Sequence, residues 1–346
     1  MQYAALWGLV PLLALEADSR QSSFFVSFVF YLALSRGIVP GSCVFFRDGS
    51  LIRALCLWCS SAFGLALPYA LLYSIRSSYQ TSKAVRLVIA ILASAVPLLG
   101  LIGWGSPLVA AGLFFPSTGW IGLALLLLLY GLAATWRYVR LVLFVTALAL
   151  TPILPIMEAI PSANWTGIDT AFGRLASGSA DFEEQYQRER EVFADLLRKK
   201  RNGELGADIL LLPETLVGRM NPTTHKRWRD SLHHLDDKKV FISGAEIPKG
   251  WKYDNVMVAF NDPTAHSGEV IKEQTAIQRC PVPFSMYRPL NPWGANADIF
   301  SRGESSMMYF AGEKAGFLIC YEQFLAWPML SMMSLKPDLL AAPANF

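Results

Sequence analysis

Hydrophobic positions form long unbroken blocks up to about residue 157 and short, separated runs afterwards. Residues 3–15, 24–39, 51–75, 85–104, 119–136 and 141–157 are apolar stretches parted by short loops that carry arginine or lysine. A helix needs about 20 apolar residues to cross the hydrocarbon core. The pattern therefore predicts six spans, the first two marginal in length, with residues 107–116 as a further short span or re-entrant segment. Beyond residue 157 the period changes. Residues 179–201 read as an amphipathic helix. Ser179 or Asp181 can cap it, Glu183 and Glu184 lie in its first turn, Arg198 to Arg201 in its last, and Gly203 follows as a stop. Apolar runs at 207–213, 239–243, 255–260, 316–320 and 338–342 read as strands, interleaved with helices at 222–237 and 324–335. Strands alternating with helices indicate an α/β domain around a central sheet, and runs such as Ile209 to Leu212 suit strands buried on both faces.

Composition sharpens that division. Hydrophobic residues make up 53% of the 346 residues and charged residues 16%. Acids are sparse in the first block (Glu16, Asp18, Asp48) and dense after it. Two domains follow, a transmembrane helical one at 1–157 and an α/β one at 158–346. A net charge of +3 gives no expectation of nucleic-acid binding. With six spans, Arg20, Arg76, Lys83, Arg86, Arg137 and Arg140 share one side, against Arg36, Arg47 and Arg53 on the other. The richer side is expected in the cytoplasm, and the α/β domain on the opposite, periplasmic face. The first stretch lacks a basic leader and a small-residue cleavage site, so no cleaved signal peptide is expected.

Two segments carry candidate chemistry: Asp208-Ile-Leu-Leu-Leu-Pro-Glu214 and Gly316-Phe-Leu-Ile-Cys-Tyr-Glu322. Each is a strand-length apolar run ending at a reactive side chain. A lone cysteine at a strand end is ordinarily core packing, and a lone glutamate after a proline is ordinarily solvated. Together they supply a nucleophile and a base that can take its proton. The four histidines offer no rival arrangement, because none ends an apolar strand. Cys56-Leu-Trp-Cys59 lies inside an apolar run and reads as packing. No zinc-protease, phosphate-loop or dinucleotide motif is present, and no cofactor or metal is expected.

Leu-Leu-Pro-Glu214 and Ile-Cys320-Tyr-Glu322 resemble the base and nucleophile segments of the nitrilase, or carbon–nitrogen hydrolase, superfamily. The membrane block followed by this domain resembles apolipoprotein N-acyltransferase, and more closely the plasmid conjugal-transfer TraB proteins. The stretches Tyr31-Leu-Ala-Leu-Ser-Arg-Gly37, Pro281-Val-Pro-Phe-Ser-Met286, Leu318-Ile-Cys-Tyr-Glu-Gln323 and Trp327-Pro328 carry that likeness. The resemblance implies an αββα sandwich with a Glu–Lys–Cys triad. Glu214 would be the general base, Cys320 the nucleophile that forms a thioester, and Glu322 the acid that follows it. The backbone N–H beside Cys320 would help hold the oxyanion.

Two departures stand out. The position of the lysine, five residues before Pro283-Phe-Ser-Met286, falls on Gln278. Arg279 is adjacent and Lys272 six residues earlier, so either is a candidate cation, though the two are not interchangeable. Met286 replaces a second acid. The chain also stops at Pro343-Ala-Asn-Phe346, so about the last quarter of such a domain is expected to be missing. Three readings stay open: a Cys-dependent acyl transferase or amidase acting on a lipid-linked or small amide substrate, a non-catalytic membrane scaffold working with other conjugation proteins, and an apolipoprotein N-acyltransferase proper. A transporter is a weaker fourth, since the membrane block lacks buried acids.

Overall fold

The computed structural model describes residues 4–46, 49–72, 80–97, 99–102, 104–150, 164–170, 182–262, 273–283, 285–288, 294–310 and 312–344. It divides into two compact units, Met1–Glu158 with Phe324–Trp327, and Ala159–Gln323 with Pro328–Phe346.

The first unit is helical: α1 Ala4–Trp7, α2 Val10–Glu16, α3 Arg20–Leu34, α4 Ile38–Phe46, α5 Leu51–Ala70, α6 Gln80–Ala93, α7 Ala110–Phe114, α8 Trp120–Thr135 and α9 Arg137–Leu150. Among the described residues one helix, α5, is long and apolar enough to cross a membrane, and the apolar α8 is shorter. The apolar stretch at 3–15 is broken into α1 and α2, with Pro11 in the first turn of α2. That at 85–104 turns after α6 into the 3₁₀ segment Gly100–Ile102, and 107–116 forms a 3₁₀ turn, Pro107–Val109, followed by α7. α4 was not foreseen. Residues 151–157 lie outside the described part.

Helices of this unit turn apolar side chains outward as well as inward. α3 buries Ser23, Ser27 and Tyr31 on one stripe and exposes Phe25 and Val29. α8 buries Gly122, Leu126 and Tyr130 while Trp120, Ile121, Leu125 and Leu128 face outward. Some of its buried polar groups find partners on neighbouring backbone. Tyr130 Oη donates to the Gly8 carbonyl at 2.8 Å, and Ser23 Oγ donates to the Tyr69 carbonyl at 2.9 Å. Arg140 pairs with Glu16 and donates to the Leu15 carbonyl.

The second unit is built in four layers. A larger sheet runs β1 (Trp165–Gly167), β2 (Ile209–Leu211), β4 (Val240–Lys249), β5 (Lys252–Phe260), β6 (Thr275–Ile277), with β3 (Gly218–Arg219) paired to β4 and β7 (Gly294–Ala295) paired to β5. A smaller sheet orders β10 (Leu339–Ala341), β9 (Glu313–Phe317), β8 (Met307–Phe310). β1, β2 and β4 are parallel, while β4–β5 and β5–β6 are antiparallel.

Alternation along β4 and β5 builds both interfaces. Phe241, Ala245, Val256, Val258 and Phe260 pack on α10 (Phe182–Arg201) and α11 (Pro222–Leu235), against Val192, Leu196, Trp228 and Leu232. Val240, Ile242, Met257 and Ala259 face the other way and meet Met308, Phe310, Ala315, Phe317 and Ile319 of the smaller sheet. On that sheet's outer side lies α12 (Ala326–Ser334), so close that a Cβ on Gly316 would lie 2.7 Å from Met332 Sδ. Each large core side chain contributes about 1.5–3 kcal/mol of burial.

The expected α/β order is present, with differences at the ends of elements. α10 starts at Phe182, and Ser179 and Asp181 lie outside the described residues. β4 runs past 243 to Lys249, because pairing with β5 carries it into polar sequence. The strand expected at 316–320 is β9, which stops at Phe317. Cys320 instead opens a 3₁₀ turn, Cys320–Phe324.

Candidate active site

Glu214 follows β2 on a loop laced to β4: Leu212 N–H donates to Ile242 O, Gly244 N–H to Pro213 O and Val217 N–H to Gly244 O. The loop lies flat on Gly244, where an added Cβ would fall 2.2 Å from Thr215 N and 2.5 Å from Glu214 Cα. Thr215 has φ +50°. Cys320, at the end of the smaller sheet, has φ +51°, and its N–H donates to Pro343 O at 2.7 Å. Both reactive segments thus hold a non-glycine residue in the left-handed region, a strained geometry that the surrounding structure must enforce.

A line of hydrogen bonds joins them. Asn255 Nδ2 donates to Glu214 Oε1 at 2.6 Å and to Gln278 Oε1 at 2.9 Å, and Gln278 Nε2 donates to the carbonyl of Ile319 at 2.9 Å. Glu214, Asn255 and Gln278 are all buried, while Cys320 is half-buried. The position where a lysine was expected therefore holds a neutral carboxamide, and that carboxamide links the carboxylate to the residue before the cysteine.

Glu322 is fully buried and acts as a clamp. Its Oε1 accepts from the N–H groups of Arg279 (2.8 Å) and Cys280 (3.0 Å), and its Oε2 from Ile319 N–H (3.0 Å). It thereby stitches the 278–280 segment to the cysteine turn. Burial raises its pKa above the ordinary carboxylate value, against the opposing pull of Arg279 and the three backbone donors. Arg279, a candidate cation for the reacting carbonyl, is turned elsewhere. Its Nη1 donates to Ser331 Oγ (2.7 Å), its Nη2 to Pro328 O (3.2 Å), and its Nε lies 3.6 Å from Glu322 Oε1. Gly303 leaves room for that guanidinium, since a Cβ there would lie 2.6 Å from Nη1. The guanidinium is thus occupied within a buried ion pair against α12. Lys272 lies outside the described residues. Met286 is buried, with its carbonyl accepting from Ala295 N–H.

The site therefore gathers Glu214, Gln278 and the Cys320 turn into one network, with Glu322 bracing it and Arg279 beside it. Asn255 was missed. Its only signal in sequence is an amide heading the apolar run Val256 to Phe260. Cys280 is buried, and burial, then the Glu322 carboxylate, pushes its thiol up to about 12. Among the described residues no cluster of His, Cys, Asp or Glu could hold a metal.

A four-layer α/β unit with a carboxylate linked to a cysteine turn, in a chain that also carries a helical unit, defines the class. Within it, a probable conjugal transfer protein TraB of Sinorhizobium fredii (strain NBRC 101917 / NGR234) is 30% identical over 341 residues, spanning 97% of this chain and 82% of that protein. A conjugal transfer protein TraB of Agrobacterium fabrum (strain C58 / ATCC 33970) is 30% identical over 362 residues, 97% of this chain and 78% of that protein. The chain belongs to the TraB family of conjugal transfer proteins. No protein-family model matches it. Among solved structures, an amidase from Nesterenkonia sp. is 13% identical with a TM-score of 0.35, covering 54% of this chain and 66% of that one. A nitrilase-superfamily amidase from Nesterenkonia AN1 is 13% identical with a TM-score of 0.34, covering 54% and 68%.

Proposed function

We propose that this chain is a bacterial inner-membrane protein of conjugal transfer, whose α/β unit lies on the periplasmic side and carries a Glu214–Cys320 centre for thioester chemistry. The substrate class is an amide or an acyl lipid. In the reaction, Glu214 takes the proton from Cys320 Sγ as sulfur bonds to the substrate carbonyl carbon. The proton passes to the departing amine or alcohol, leaving a thioester. Water or an amine then attacks that thioester, giving up its proton to Glu214 and releasing the thiol.

The observation that carries this reading is the buried line Glu214–Asn255–Gln278–Ile319, which ends at the residue before a half-buried cysteine. The membrane part rests on the burial pattern of α3 and α8. Serine and tyrosine inside with phenylalanine, valine and leucine outside is the arrangement that hydrocarbon stabilises and water does not.

A second reading, a non-catalytic scaffold, is favoured by the neutral Gln278 and by the engaged Arg279 guanidinium. The two separate by trapping. The full chain, isolated from its host membranes, is digested and the Cys320 peptide searched for a hydroxylamine-labile acyl mass. The catalytic reading expects an adduct that is lost in Cys320→Ser. An unmodified Cys320 peptide, also after incubation with phospholipid vesicles and with a small amide, supports the scaffold.

A further inference from the structure

The carbonyl of Ile319 can only accept a hydrogen bond. The Gln278 carboxamide therefore presents Nε2 to it, which leaves Oε1 facing Asn255. Asn255 answers with Nδ2, whose second hydrogen goes to Glu214 Oε1. Asn255 Oδ1 accepts nothing, although the residue is 1% exposed. The reversed amide would set that oxygen against two others, so the orientation with one unpaired acceptor prevails. A backbone carbonyl thus fixes the polarity of the whole line, and its far end is an N–H pointed at Glu214.

We infer that Asn255 is a positioning residue: with Gln278 it forms a one-way amide relay that keeps Glu214 ionised as the base for Cys320. The inference rests on the catalytic reading above. The relay supplies by hydrogen bonding what the neutral residue at position 278 does not supply by charge. A hydrogen bond donated to the ionised form favours that form. Charges of both signs face the relay from the strands beside it: Glu246 of β4 stands directly across the ladder from Asn255, and Arg219 of β3 stands beside Glu246. The ladder itself holds the relay in register, since Gln278 N–H donates to Asn255 O at 2.8 Å.

The test is the rate of Cys320 alkylation by iodoacetamide in the detergent-solubilised full chain, read by peptide mass from about pH 5 to about pH 9, with thermal unfolding as a check on folding. Wild type is expected to show an acid limb where Glu214 protonates. Asn255→Ala removes the donor and should move that limb to higher pH by about one pH unit, a roughly tenfold loss of rate on the limb. Gln278→Met breaks the same relay from its other end and should shift the limb in the same direction, which covers an unfolded Asn255 variant. A lower plateau with the limb unmoved in both variants overturns the inference, because that is what a merely structural role would give. If Glu214→Gln alkylates like wild type, the base reading itself fails, and the two failures are thereby distinguished.

Discussion

At the residue scale, the sequence named the reactive groups but not what holds them. Glu214 and Cys320 were legible because each interrupts an apolar run. Glu322 was legible by position, yet its role as acceptor for three backbone N–H groups was not, since those donors come from segments more than 40 residues apart in the chain as well as from Ile319 nearby. Arg279 was expected near the reacting carbonyl because it is adjacent to Gln278. Adjacent residues on an extended segment point to opposite sides, and its guanidinium goes to Ser331 and Pro328. Glu322→Gln should cost about 1–3 kcal/mol, because an amide nitrogen would face a backbone N–H where either oxygen of the carboxyl, protonated or not, can accept. The pH dependence has a definite sign. A carboxyl whose folded pKa is raised contributes stability that is fully present below its unfolded value and lost as pH rises through the folded one. The advantage of wild type over Glu322→Gln, measured by urea unfolding, should therefore be greatest in acid and shrink toward neutral pH.

At the element scale, strands buried on both faces were legible as apolar runs, α10 as an amphipathic helix with charged ends, and α11 as a helix. Short pieces such as β1, β3 and β7 were not, because two or three residues carry no period and form only by pairing with a longer neighbour. The reach of β4 to Lys249 was hidden for the same reason. Gly244 shows how an element sets the site. The Glu214 loop rests on its bare Cα, and the atoms a side chain would meet are backbone. Gly244→Ala should therefore push that loop off β4. It should lower stability by about 1–3 kcal/mol or more, seen as a reduced unfolding temperature, and slow Cys320 alkylation along with it.

At the scale of the whole molecule, the hydrophobic pattern divided the chain into a helical and an α/β part, and the structure adds how each is built. α3 and α8 turn apolar side chains outward, and among the described residues only α5 is long and apolar enough to span a membrane. Loop charge and hydropathy could not reveal which stripe of each helix packs inward. The account stands or falls on whether the carboxylate wired to the cysteine turn acts on its thiol. The most direct measurement is the second-order rate of iodoacetamide alkylation at Cys320 in wild type and in Glu214→Gln, with the buried Cys280, its thiol held up to about 12, as an internal control. Cys320 is expected to react well ahead of Cys280 and to slow by about tenfold or more when Glu214 becomes glutamine. Equal labelling of the two cysteines, unchanged by the substitution, would contradict it.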